Sequence, residues 1–148
     1  MDRLHIYVAQ YYNGVGPSGT RPYYWHVCIE TGRDWQRNPL ATAYTIKGCA
    51  ASGFKPVAKE AIRFSTSNLF RGLVCVGVID APQYALAEQC IKGAVLYQQP
   101  GTTYDSQDWA EAAVRKLYSH GLIPTQWTKE VLQNELKEAE AAWENGDL

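Results

Sequence analysis

The chain has 148 residues, 46% hydrophobic and 20% charged, with a formal net charge of −1 from 14 basic and 15 acidic side chains. That composition fits one globular domain, residues 1–148, long enough to bury a core. No Lys/Arg cluster offers nucleic acid an electrostatic footprint, and the longest apolar run, residues 73–79, is far too short to span a bilayer.

In chain order, residues 3–11 alternate Leu4, Ile6 and Val8 against Arg3, His5 and Tyr7, which predicts a strand. The opening MDRLHIYVAQ lacks the basic-then-apolar layout of a signal peptide. Residues 13–22, NGVGPSGTRP, form a loop dense in Gly and Pro. Residues 23–29 predict a second strand, with Tyr23, Trp25, Val27 and Ile29 on one face and Tyr24, His26 and Cys28 on the other. Residues 41–48 predict a third strand and residues 60–67 a fourth. Residues 72–79, GLVCVGVI, are apolar on both faces and predict a central strand covered on both sides.

After Pro82 the period changes. Leu86, Cys90, Ala94 and Tyr97 predict a helix over 82–97, and QQPGTT, 98–103, is the linker. A second helix carries Trp109, Ala113 and Leu117 on one stripe and stops at Gly121. A third starts near Thr128, with Leu132, Leu136, Ala139 and Trp143 as a narrow seam that either packs inward or pairs with a second copy as a homodimer. Strands first and helices later give an α+β class: an antiparallel sheet of about five strands with three helices on one face.

Cys28, Cys49, Cys75 and Cys90 form no CxxC pair, so no metal site is expected. Cys28, Cys75 and Cys90 sit in apolar patterns, as small buried hydrophobes do. A reduced, cytoplasmic protein is the expectation. Ten Tyr and five Trp against three Phe suit a pocket wall or an interface, because buried Tyr and Trp want hydrogen-bond partners.

The element order, the strand 23-YYWHV-27 and the helix opening 105-DSQDWA-110 together resemble the circularly permuted branch of the NlpC/P60 papain-like superfamily. That branch includes the lecithin–retinol acyltransferase-like proteins, and the closer likeness is to fungal proteins of the same fold. There an early strand reads roughly tyrosine-histidine-tryptophan-alanine-leucine, and a late helix opens with asparagine-cysteine-x-x-tryptophan-valine. The histidine is the base, the cysteine is the nucleophile, and a polar residue on the following strand orients the histidine. The resemblance spans about residues 3–123 and aligns Trp25 and Trp109 with the two tryptophans. It sets Tyr24 at the histidine position, Ser106 at the cysteine, Asp105 at the asparagine and Thr45 at the orienting residue.

Both catalytic positions are therefore changed. A serine hydroxyl needs a well-placed base to act as a nucleophile, and a tyrosine, with a pKa of about 10, is a poor one. Thiol chemistry is not expected. His26 lies two residues from Tyr24 on the same strand face, displaced by about 6.5 Å, and is the alternative base. Asp105 or Asp108 would orient it. Asp105, Ser106 and Asp108 are equally good helix-capping residues. Tyr23, Trp25, Tyr44, Thr45, Tyr104, Asp108 and Trp109 are expected to line the cleft, where aromatic walls suit an apolar or aromatic small molecule.

The expected function is a cofactor-independent enzyme working by acid–base catalysis, of isomerisation or cyclisation type. His26, Tyr24, Ser106 and Asp105 are its catalytic groups, it needs no metal, and a biosynthetic role is implied. The alternative is a pseudoenzyme that binds a ligand or a protein. The third reading is a Ser106–His26 hydrolase or acyltransferase. Nucleic-acid and membrane partners are not expected.

Overall fold

The computed structural model describes residues 3–17, 19–20, 22–49, 53–62, 64, 67–94 and 105–145. The strands are β1 (Arg3–Tyr11), β2 (Val15–Gly16), β3 (Gly19–Thr20), β4 (Tyr24–Arg33), β5 (Pro39–Cys49), β6 (Gly53–Ile62) and β7 (Phe70–Asp80). A 3₁₀ turn, Ala81–Gln83, leads into α1 (Tyr84–Lys92), followed by α2 (Ser106–Ser119) and α3 (Lys129–Glu144). Five strands form one antiparallel sheet in the order β6-β5-β4-β1-β7, and β2 and β3 make a separate hairpin. The α+β class, with a five-stranded antiparallel sheet and three helices, is as the pattern predicts.

Strand alternation divides the interior. Ile6, Val8, Trp25, Val27, Ile29, Tyr44 and Ile46 face the helices and pack with Ala87, Ile91, Trp109, Ala113, Leu117, Leu132 and Leu136. Tyr7, Ala9, Cys28, Ala41 and Ala43 face the other way and pack with Phe64 and Phe70. Trp143, at the end of α3, reaches that second cluster and meets the Phe70 ring edge-on at 5.0 Å. The α3 seam thus packs inward, against β7.

Four expectations change. β7 is an edge strand, not a central one. It is apolar on both faces because Val76 and Ile79 join the helix-side core while Phe70 joins the other. A register shift against β1 leaves Val76 out of the pairing, and its carbonyl takes the Trp127 indole N–H at 3.1 Å. A side chain thereby satisfies a carbonyl that the irregular pairing leaves outside the ladder. The strand expected at 60–67 runs instead over Gly53–Ile62. The first helix is shorter than 82–97, ending at Lys92 before Gly93, and its buried stripe is Ala87, Cys90 and Ile91, with Leu86 exposed. Tyr97 and the 98–103 linker lie outside the described residues. Cys75, expected in the core, is exposed, whereas Cys28 and Cys90 are buried free thiols. Among the described residues no helix is long and apolar enough to cross a membrane.

Gly72 shows how tightly α3 sits on β7. Its φ of 111° is left-handed, and a Cβ there would lie 3.0 Å from the Ala139 backbone and Cβ. Gly72→Ala should therefore cost about 2–4 kcal/mol, combining backbone strain with overpacking. Urea unfolding would measure the loss.

Candidate functional site

The first turn of α2 is built by its own side chains. Asp105 is the N-cap, its Oδ1 accepting from the Gln107 N–H at 2.9 Å and the Asp108 N–H at 3.2 Å. Asp108 completes the capping box by accepting from the Asp105 N–H at 3.0 Å, and its other oxygen pairs with Lys129 Nζ at 3.0 Å. Ser106 is buried, and its hydroxyl oxygen accepts the Trp25 N–H at 3.0 Å. Gln107, also buried, donates to the Tyr23 carbonyl at 2.9 Å and accepts from Gln133 Nε2 at 2.9 Å. These groups moor α2 to the start of β4. Trp25 and Trp109 are both buried beside them in the helix-side core.

The imidazole and the second tyrosine lie elsewhere. On β4, Trp25 faces α2, so Tyr24 and His26 face the opposite side of the sheet. The His26 ring lies tilted 4.6 Å from the Tyr11 ring and edge-on 5.6 Å from the Tyr24 ring, and Tyr24 donates to the Ile46 carbonyl. Thr45 is on that side too, following Ala41 and Ala43, and donates to the Trp25 carbonyl at 3.4 Å. The sheet therefore stands between Ser106 and His26, and the expected pair is not assembled. Thr45 keeps its place beside Tyr24 and His26, but none of the three meets the α2 start. Tyr104 lies outside the described residues.

Tyr44 belongs to a third group. It projects from β5 toward α1, donates to Glu88 Oε2 at 2.5 Å and lies 3.1 Å from the Tyr84 hydroxyl. The Tyr84 hydroxyl also lies 3.2 Å from Thr42 Oγ1, and its single proton serves either that oxygen or the Tyr44 oxygen, while Glu88 Oε1 pairs with Lys92 at 3.7 Å. Burial, and then the bonds to Glu88 and Tyr84, push the Tyr44 phenol well above its usual 10.0. Beside this chain of groups is a cleft of about 320 Å³ lined by Tyr44, Val57, Ala58 and Lys92. A buried hydroxyl joined to a carboxylate at the wall of a cleft can donate to a developing oxyanion while the carboxylate moves a proton.

Tyr23 and Trp25 line a different groove, also of about 320 Å³, with Gln10, Gln107, Lys137 and Glu140. Tyr23 donates to Glu140 Oε2 at 2.5 Å, and this bond, with partial burial, raises its phenol to about 12.

Thr42, Tyr84, Glu88 and Lys92 were not among the expected site residues. Their signal was present: Tyr84, Glu88 and Lys92 recur at every fourth position, a polar stripe along one helix face. No family model matches the chain, and comparison with curated proteins and with solved structures returned no match.

Ser106→Ala removes the acceptor of a buried backbone N–H and should destabilise the fold by about 1–3 kcal/mol in urea unfolding. A serine-directed phosphonate should leave the protein unlabelled. The cap also carries a pH signature. Burial holds the Asp105 carboxyl above its usual 3.8, against the opposing effect of the Asp108 N–H. A folded pKa above the unfolded one means the folded state keeps its proton longer, so this group's contribution falls as pH rises through that interval and levels off above it. Asp105→Asn, which keeps the capping oxygen, should flatten that fall in unfolding measurements taken upward in pH from the usual carboxylate range.

Proposed function

We propose that the protein is a cofactor-independent acid–base enzyme of isomerisation or cyclisation type, acting on a small, largely apolar molecule. Its proton-handling groups are Tyr44, Glu88 and Tyr84. The observation that carries the proposal is the Tyr44 hydroxyl, joined to both Glu88 and Tyr84 at the wall of a cleft.

The chemistry that suits this arrangement is enolisation. On substrate entry Glu88, which bonds the cleft-lining Tyr44 and Lys92 without lining the cleft itself, turns in and removes a proton from the carbon beside a substrate carbonyl. The Tyr44 hydroxyl turns from Glu88 to the carbonyl oxygen as negative charge gathers there. Glu88 then returns the proton to a different carbon of the same conjugated system. No electron leaves the substrate, so the sequence balances without a redox partner. Tyr84 keeps the Tyr44 oxygen oriented, and Val57 and Ala58 offer the apolar wall.

One observation favours the binding-module reading instead. The Ser106 oxygen is engaged by a backbone N–H, and His26 lies across the sheet from it. A single titration separates the readings. 4-Nitrophenol, a mimic of a delocalised enolate, should bind saturably with a shift in its absorbance. Tyr44→Phe and Glu88→Gln should each weaken it by about tenfold, the equivalent of about 1.4 kcal/mol. Unchanged affinity in both variants, each with wild-type unfolding, would favour a binding module.

A further inference from the structure

We propose that the second groove, between the first turn of α2, α3 and the start of β4, binds a free α-amino acid. It is separate from the Tyr44 cleft, and the proposal does not depend on acid–base catalysis there.

Three observations carry it. The first is charge: Lys137 and Glu140 both line the groove and stand three residues apart on one face of α3. Lys137 has no ion pair or hydrogen bond among the described residues, whereas Glu140 spends one carboxylate oxygen on the Tyr23 hydroxyl. A cation awaiting a partner beside a half-used carboxylate matches a ligand that brings both signs. The second is a buried wall: Trp25, 1% exposed, lines the groove, and its indole N–H, closed off from the surface and with no acceptor among the described residues, reports on the groove without touching the ligand. Trp109 shares that condition but does not line the groove. The third is the pair of buried amides. Gln10 gives its Nε2 to the Arg71 carbonyl at 3.0 Å and the Leu136 carbonyl at 2.9 Å, which leaves its own carbonyl oxygen as an acceptor. Gln107 is fixed by its bond to the Tyr23 carbonyl.

These groups sort by sign. Lys137 answers a carboxylate. The second Glu140 oxygen and the Gln10 carbonyl answer an ammonium. Tyr23 gives an aromatic wall for the side chain. The volume, about 320 Å³, is at the small end for ligand sites and suits a molecule of amino-acid size. The buried amides are held by backbone carbonyls, so they are ordered before the ligand arrives and cost little to organise.

The test uses the ¹⁵N-labelled full chain, with the Trp25 indole N–H signal assigned by its loss in Trp25→Phe. Each of the twenty standard L-amino acids is titrated to about 20 mM, a range that detects millimolar affinity. At least one should shift that signal to saturation. Lys137→Met and Glu140→Gln should each weaken that binding about tenfold or more, with melting temperatures near wild type because Lys137 is exposed and Glu140 only partly buried. The N-acetylated methyl ester of the same amino acid, lacking both charges, should fail to compete. Absence of a saturable shift with any of the twenty would overturn the proposal. So would unchanged affinity in both variants, or equal binding of the uncharged derivative.

Discussion

The hydrogen bond from the Trp25 N–H to the Ser106 hydroxyl decides how the rest of the molecule is arranged. It ties the first turn of α2 to the start of β4, beside the apolar strand face that the helices cover. Trp25, Val27 and Ile29 are then committed to the helix-side core. Because a strand alternates, the same choice sends Tyr24 and His26 to the opposite side. Shifting the strand by one residue would reverse every one of these assignments and would place an imidazole where Trp25 now fills the core.

That commitment has a chemical consequence. A serine at a helix start and a histidine on a nearby strand look like a nucleophile and its base when read along the chain. Folded, the oxygen serves as an acceptor for the backbone and the imidazole packs among tyrosine rings. Titratable chemistry gathers instead between β5 and α1, where Thr42, Tyr84, Tyr44, Glu88 and Lys92 bond in succession. Buried hydroxyls in low dielectric need such partners, and a connected chain of them can be both structural and reactive. The Gln10 and Gln107 amides do comparable work at the other end of the sheet, where their bonds hold β1 and β4 to α3 and α2.

Much of the architecture is legible in the order of residues, because period-two and period-3.6 patterns reflect burial directly. The faces of β1 and β4 and the stripe Trp109, Ala113 and Leu117 are examples. The position of β7 at the sheet edge is not legible, since a strand covered by α3 and the Trp127 indole reads the same as one flanked by neighbours. The exposure of Leu86 is hidden likewise, because Ala87 and Ile91 define the buried face with smaller residues beside it. For the site, local chemistry identifies the Asp105 cap, but which strand face receives α2 is a tertiary fact. The Tyr84, Glu88 and Lys92 stripe was visible as spacing and carried no meaning until Tyr44 was seen to meet it.

The central claim is that Tyr44 and Glu88 form one proton-handling unit. Proton NMR of the Tyr44 hydroxyl tests it most directly. The account predicts a downfield hydroxyl resonance, slow to exchange with water, that disappears in both Tyr44→Phe and Glu88→Gln. It also predicts that selectively labelled Tyr44 stays protonated through the pH range in which exposed tyrosines ionise. A Tyr44 hydroxyl that exchanges freely and titrates at the ordinary value of about 10 would contradict it.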